Sequence, residues 1–267
     1  TDGDYTATID DAMSSGNIGN LNQIASDTAG VVTGTLTGVS AAEAATITTN
    51  NSDIITLTLT GSALGASDIN NLNTAATRTG GVVSATLNNV TAAVAQTIDT
   101  ASTDLISINL LGGTASAGHL NTIDSKTGVT VNAVLVDAIT GTIDEIEAAR
   151  ASVSITTDTD YTATASGTIT STTDRTSLNS IAGETSGKVT ARVDGNLGYL
   201  AGMNTAGTDD ITVNLTAAEA ATATQLTDLD GKTNIAVNAA NITAISGTVG
   251  EIEAARASAG ITTDTDY

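Results

Sequence analysis

The sequence predicts an α/β repeat, a right-handed βα-solenoid of about ten coils with parallel strands on one face and short helices or loops on the other. Three observations carry that expectation. The string GTIDEIEAARASVSITTDTDY from Gly141 returns from Gly247 as GTVGEIEAARASAGITTDTDY, an offset of 106 residues. Ten short segments alternate apolar and polar residues at nearly even spacing. The chain is 40% apolar yet has no Phe, Trp or Pro, so it must bury small aliphatic side chains in a narrow interior.

The alternating segments open at Tyr5, Val32, Ile55, Val83, Ile106, Val129, Tyr161, Val189, Ile211 and Ile235, with Tyr267 beginning another. Their spacing averages ~26 residues, in the range of solenoid repeats. Period two reads as a strand with one buried and one wet face. Ile55, Leu57 and Leu59, or Ile211, Val213 and Leu215, point inward on this reading, and Thr56, Thr58, Thr212 and Asn214 outward. A doubly wound sheet is disfavoured, because its strands are covered on both faces and read as unbroken apolar runs.

Between strands lie helix signals. SAAEAATI at Ser40 and TAAEAATATQL at Thr216 fit a capping box, with Glu43 and Glu219 at the third helical position. Alternate coils carry Leu-Asn at Leu21, Leu72, Leu120 and Leu178, followed by a Thr- and Gly-rich turn such as DTAG or SKTG. Each coil has room for one or two helical turns, and its strand stacks on the last at ~4.8 Å. The absence of Pro follows, since internal strands give their amides to both neighbours. An all-β solenoid is the alternative; the Ala clusters and capping boxes count against it.

The domain expectation is a single solenoid array over 1–267, with a long repeat at 161–266 (four coils) related to 5–160 (six coils). Both termini fall at the same phase of the repeat and neither looks like a polar cap. A segment of a longer array, or a unit that joins end to end, is expected.

Charge narrows the partners. With 29 acidic against 8 basic residues and a net charge of −21, the surface repels nucleic acid and anionic lipid. No apolar run is long enough for membrane insertion. Cys is absent, so redox chemistry gives no compartment.

Two site readings stay open. Asp and Asn crowd the turns before strands, including Asn51, Asp53, Asp104, Asp209 and Asp210. Asp2, Asp4, Asp158, Asp160, Asp264 and Asp266 form D-x-D pairs that offer oxygens to Ca²⁺, although Asp is also a good turn residue and the nonapeptide calcium repeat is missing. Thr6, Thr8, Thr33, Thr35, Thr56, Thr58, Thr162 and Thr164 form an outward ladder that could hold a ligand or ice. Thr equally suits any solvated sheet, and the rows break at Ser107, Asn109, Asn132, Arg192, Asn214, Ala236 and Asn238. Lone His119 reads as a surface or helix-flank residue, and Glu147 with Arg150 as a modest ion pair. No catalytic residues or cofactor motif appear, and no enzyme is expected.

GTLTGVSAAEAATI, LNTIDSKTGVTVNAV and ITGTIDEIEAARAS resemble the repeats of giant bacterial cell-surface and secreted proteins of the marine cyanobacterial type. The resemblance implies an extracellular or cell-surface location and a structural or adhesive role, with no catalytic residues to transfer. The expected function is a stiff acidic rod that spaces, or assembles into a surface layer or filament. The alternative is a calcium-dependent adhesin, or a ligand- or ice-binding module, that meets a surface glycan or a neighbouring cell.

Overall fold

A computed structural model describes residues 3–60 and 64–264. The chain divides into two compact units. Unit 1 comprises Thr1–Ala115, His119–Val136 and Ser152–Thr157; unit 2 comprises Ser116–Gly118, Asp137–Ala151 and Asp158–Tyr267.

Unit 1 is built on strands β1 (Ala7–Met13), β2 (Val32–Val39), β3 (Ile54–Leu59), β4 (Val83–Val90) and β5 (Leu105–Leu110). Between them run helices α1 (Ile18–Asp27), α2 (Ala41–Ala44), α3 (Ile69–Ala76) and α4 (Ala92–Ala95). After β5 come β6 (Gly113–Ser116), α5 (Ala117–Asp124), β7 (Val131–Ala133), β8 (Val136–Thr142), α6 (Ile143–Ala151) and β9 (Ile155–Thr157). The sheet order is β1-β2-β3-β4-β5-β7-β9 and its neighbours pair in parallel.

Unit 2 contains β8 and α6, then β10 (Thr162–Ser166), α7 (Thr172–Glu184), β11 (Val189–Gly195), α8 (Leu197–Leu200) and β12 (Asp210–Leu215). It continues with β13 (Glu219–Thr222), α9 (Ala223–Asp230), β14 (Val237–Ala239), β15 (Ile242–Ser246), α10 (Val249–Ala257) and β16 (Ile261–Thr263). Here β8, β10, β11, β12, β14 and β16 follow one another in a parallel sheet, while β13 and β15 form a separate parallel pair.

The α/β class with parallel strands is therefore as expected, and all ten expected strands are present. They do not stack in one sequence-ordered ladder. β7, from the Val129 segment, is followed in its sheet by β9, whereas β10, from the Tyr161 segment, lies between β8 and β11. The added strands β6, β8, β9, β13, β15 and β16 make this difference. All six fall into pairs that start 106 residues apart: β6 with β13, β8 with β15 and β9 with β16.

The alternation sorts as expected. Ile55, Leu57, Ile106, Ile108, Ile211 and Val213 are sealed inside, each such aliphatic side chain contributing ~1.5–3 kcal/mol. Leu21, Leu72, Leu120 and Leu178 of the Leu-Asn helices are fully buried as well. One expectation fails: the interior does admit an aromatic ring, since Tyr161 is 1% exposed. Strands β2 and β4 each slip register near their C-terminal ends, at Gly38 (φ 69°) and Asn89 (φ 55°), where only Gly or a short amide sits readily in the left-handed region.

Ser40 and Glu43 form the expected capping box of α2, with Ser40 N–H donating to Glu43 Oε2 at 2.8 Å and Glu43 N–H to Ser40 Oγ at 3.2 Å. Thr216 and Glu219 do not. Glu219 opens β13, and its Oε1 accepts from Leu197 N–H at 2.7 Å. The helix begins later, capped by Thr222 and Gln225.

Candidate functional site

The chemistry of this chain is concentrated in the turns, where side chains satisfy the backbone of segments more than twenty residues away in sequence. Each Leu-Asn helix runs into a Thr that opens a tight turn, as at Thr79 and Thr127, and α9, which has Leu226-Thr227 instead, does so at Thr233. Thr127 Oγ1 donates to Ile106 O at 2.8 Å and accepts from Ile106 N–H at 3.0 Å and Val129 N–H at 3.3 Å. Thr79 does the same to Ile55 and Gly81, and Thr233 to Ile211 and Ile235. Thr28 and Thr185 donate to the carbonyls of Tyr5 and Tyr161. One hydroxyl thus serves both groups of a residue on a neighbouring strand, in a buried site where each unmet group would cost ~1–3 kcal/mol. Gly81 follows because a Cβ there would lie 2.6 Å from the carbonyl carbon and oxygen of Ile55.

Three aspartates form the facing clamp. Asp53, Asp104 and Asp209 are buried. Their Oδ1 atoms accept from Val32, Val83 and Val189 N–H at 2.8, 2.7 and 2.9 Å. Their Oδ2 atoms accept from Asn50, Ala101 and Ala206 N–H within their own turns. The asparagine of Leu-Asn makes a third clamp. Asn22, Asn73 and Asn179 each donate to a carbonyl and accept from an amide in the segment after the next short helix.

The eight outward threonines are exposed or half-exposed. Their rows are staggered. Thr8 lies beside Thr33, but Thr33 lies beside Ile54; Thr35 pairs with Thr56, Thr58 with Thr37 and Ser84, Thr162 with Ala138, and Thr164 with Thr140 and Thr190. Thr6 lies just ahead of β1. Where the threonine rows break, asparagines stack instead. Asn132 Nδ2 donates to Asn109 Oδ1 at 2.9 Å, Asn109 Nδ2 donates to Asn88 Oδ1 at 2.5 Å, and Asn238 Nδ2 donates to Asn214 Oδ1 at 2.8 Å. These amide ladders run along the sheet and stiffen it.

Of the D-x-D aspartates, Asp2 and Asp266 lie outside the described residues. Asp4 and Asp158 are exposed, and Asp158 Oδ1 accepts from Thr159 N–H at 2.7 Å. Asp160 precedes buried Tyr161, and Asp264 follows β16. Among the described residues, no three His, Asp or Glu side chains gather as a metal site. His119 lies half-buried in α5. A surface depression of about 390 Å³ is lined by turn residues such as Asn51, Thr79, Asp99 and Asp104, of which Thr79 and Asp104 are clamping residues.

Electrostatics follow the same local logic. Glu147 and Arg150 do pair, at 2.5 Å, and Glu184 of α7 joins them at 2.6 Å. The two carboxylates hold the guanidinium pKa above its ordinary value. Beside them Tyr161 is pushed up to about 12, first by burial and then by the Glu184 charge. Its hydroxyl is buried without a hydrogen-bond partner. Lys232 is lowered by burial, its Nζ donating to Ala201 O and Met203 O at 2.9 and 2.6 Å.

Sequence reasoning placed the Thr- and Gly-rich turns and the turn aspartates but not what they bind; the recurrence of a Thr with a Gly one or two residues on after every Leu-Asn helix was the available signal. Comparison with protein-family models, curated proteins and solved structures gives no match. Among the described residues, no helix is long and apolar enough to cross a membrane.

Proposed function

We propose that this chain is a structural module of an extracellular repeat protein: a βα-solenoid that serves as a stiff acidic rod, spacing or assembling into a surface layer or filament. The supporting observation is the clamp system. The buried Thr hydroxyls and Asp carboxylates at the turns are spent on the backbone of a neighbouring coil, which gives a body held by nearest-neighbour contacts. The likeness to repeats of giant cell-surface proteins supports the extracellular assignment, and the net charge of −21 suits a surface that must stay dispersed in salt.

Immunogold electron microscopy of the source cells tests this reading. Label in an external layer or in filaments is expected; label confined to the cell interior overturns it. A melting curve with and without excess EDTA tests the calcium-dependent alternative. An unchanged midpoint leaves the spacer reading in place, and a fall of many degrees replaces it with a calcium-dependent adhesin.

A further inference from the structure

We propose that Arg175 and Lys232 form a binding site for a small oxyanion, a carboxylate or a sulfate, beside the turn that ends α8. The inference goes beyond the structural reading above and does not depend on it. Its warrant is a set of replacements that one segment of the chain shows against two counterparts in the same chain.

Leu21-Asn22, Leu72-Asn73 and Leu178-Asn179 align the three segments, because their asparagines donate to the same carbonyl of the following turn, at Thr46, Thr97 and Gly202. Three residues before each leucine stand Ile18, Ile69 and Arg175, and both isoleucines are buried. At the third position of the short helix stand Glu43, Val94 and Tyr199. Two residues beyond the clamped carbonyl stand Thr48, Asp99 and Asn204. The third segment has therefore gained a cation in an aliphatic place and lost both carboxylates.

The geometry accommodates that cation closely. A Cβ at position 202 would lie 2.5 Å from Arg175 Cζ, so the glycine makes room for the guanidinium. The guanidinium lies 4.7 Å from the centre of the Tyr199 ring, whose hydroxyl donates to Ser171 O at 2.7 Å. Arg175 Nη1 donates to Tyr199 O, while its Nε is buried without a hydrogen-bond partner. Lys232 is the counterpart of Lys126, since the carbonyls of the two accept from Thr205 and Thr100. Lys126 pairs with Asp99 at 3.0 Å. With Asn204 in that place, Lys232 turns to Ala201 O and Met203 O. Two cations thus meet on residues 199–203, and among the described residues neither is in an ion pair, in a chain with 29 acidic groups. Exposed Asp228 attracts Lys232, Asp174 acts on Tyr199, and the Arg175 charge adds to burial in lowering the Lys232 pKa. A cavity of about 70 Å³ beside Lys232 is lined by Leu197, Ala201, Gln225, Asp228 and Leu229. Carbonyls satisfy donors and leave the charge uncompensated; an oxyanion supplies negative charge and acceptors for the remaining N–H groups. The field of a chain at −21 repels polyanions, so the fitting ligand is single and small.

Thermal melting of the chain in sodium sulfate, sodium acetate and sodium chloride at matched ionic strength tests this. The expected result is a saturable rise of ~2–4 °C with sulfate or acetate beyond that with chloride. Sulfate also strengthens apolar burial in any protein, so the difference between wild type and variants is the readout. Arg175→Ile installs the residue type of the two counterparts, and Lys232→Gln removes the second charge. Each should raise the anion concentration needed for the half-maximal shift at least tenfold. Lys126→Gln, at the ion-paired counterpart, should leave that concentration unchanged. Should Arg175→Ile fail to fold, Lys232→Gln carries the comparison. A wild-type chain with no saturable shift in either anion overturns the proposal, as does a shift that survives in the site variants or is lost equally in Lys126→Gln. External immunogold label without an anion effect would remove the site and leave the structural reading standing.

Discussion

At the scale of single residues, the clamp threonines and the outward threonines look alike in sequence and differ wholly in consequence. Thr127→Val deletes a hydroxyl that satisfies Ile106 on both its amide and carbonyl. It is expected to cost ~2–3 kcal/mol in a denaturant melt. Thr58→Val, on the wet face, should stay within ~0.5 kcal/mol. Equal losses for the two would count against the clamp. Tyr161 makes a second prediction with a definite sign. Its pKa is raised from 10.0 to about 12 because the buried phenol must stay neutral. Its contribution is whole below the unfolded value near 10 and is lost as pH rises through about 12. Tyr161→Phe should remove that alkaline decline and, since the hydroxyl has no partner to lose, leave neutral-pH stability equal or higher; chemical denaturation across pH 8–12 checks both. The burial of the aliphatic strand residues was legible from alternation alone. Which threonines were structural was not, because a hydroxyl's partner lies more than twenty residues away and no local pattern names it.

At the scale of elements, parallel strands, short helices and their order could be read from period and punctuation. Where two signals competed, the reading went astray. The Ser40 and Thr216 strings carry the same Ala-Ala-Glu-Ala, yet one caps a helix and the other opens β13, since β15 offers that segment a parallel partner. Tertiary pairing outweighed a cap of ~1 kcal/mol. Strands of three residues, such as β9 and β16, hold too little alternation to announce themselves. The turns are the joints between elements, and two substitutions probe them. Gly81→Ala forces a Cβ into the backbone of β3 and should cost ~2–4 kcal/mol. Asp104→Ala strands the amides of Val83 and Ala101 and should cost a similar amount. Loss of amide protection at Val83 in hydrogen exchange would locate the second effect; unchanged protection would contradict it.

At the scale of the whole molecule, charge is the dominant collective quantity. Six ion pairs are seen among the described residues, far too few to offset 29 acidic groups. Self-repulsion therefore weakens the fold at low ionic strength, and NaCl should raise the melting temperature until the repulsion is screened at roughly a 10 Å Debye length near 0.1 M. A midpoint that does not move with salt would show that the charges are already compensated. One feature has a practical reach beyond stability. The chain has no Trp and 4 Tyr residues; among the described residues the ring of Tyr161 is sealed in the interior, and that of Tyr199 is held by Arg175 over its face and by its hydroxyl donating to Ser171 O at 2.7 Å. Near-ultraviolet dichroism should accordingly come chiefly from these two chromophores, and the part lost in Tyr161→Phe is an optical gauge at the very place where β8 and β10 meet, readable without any attached dye.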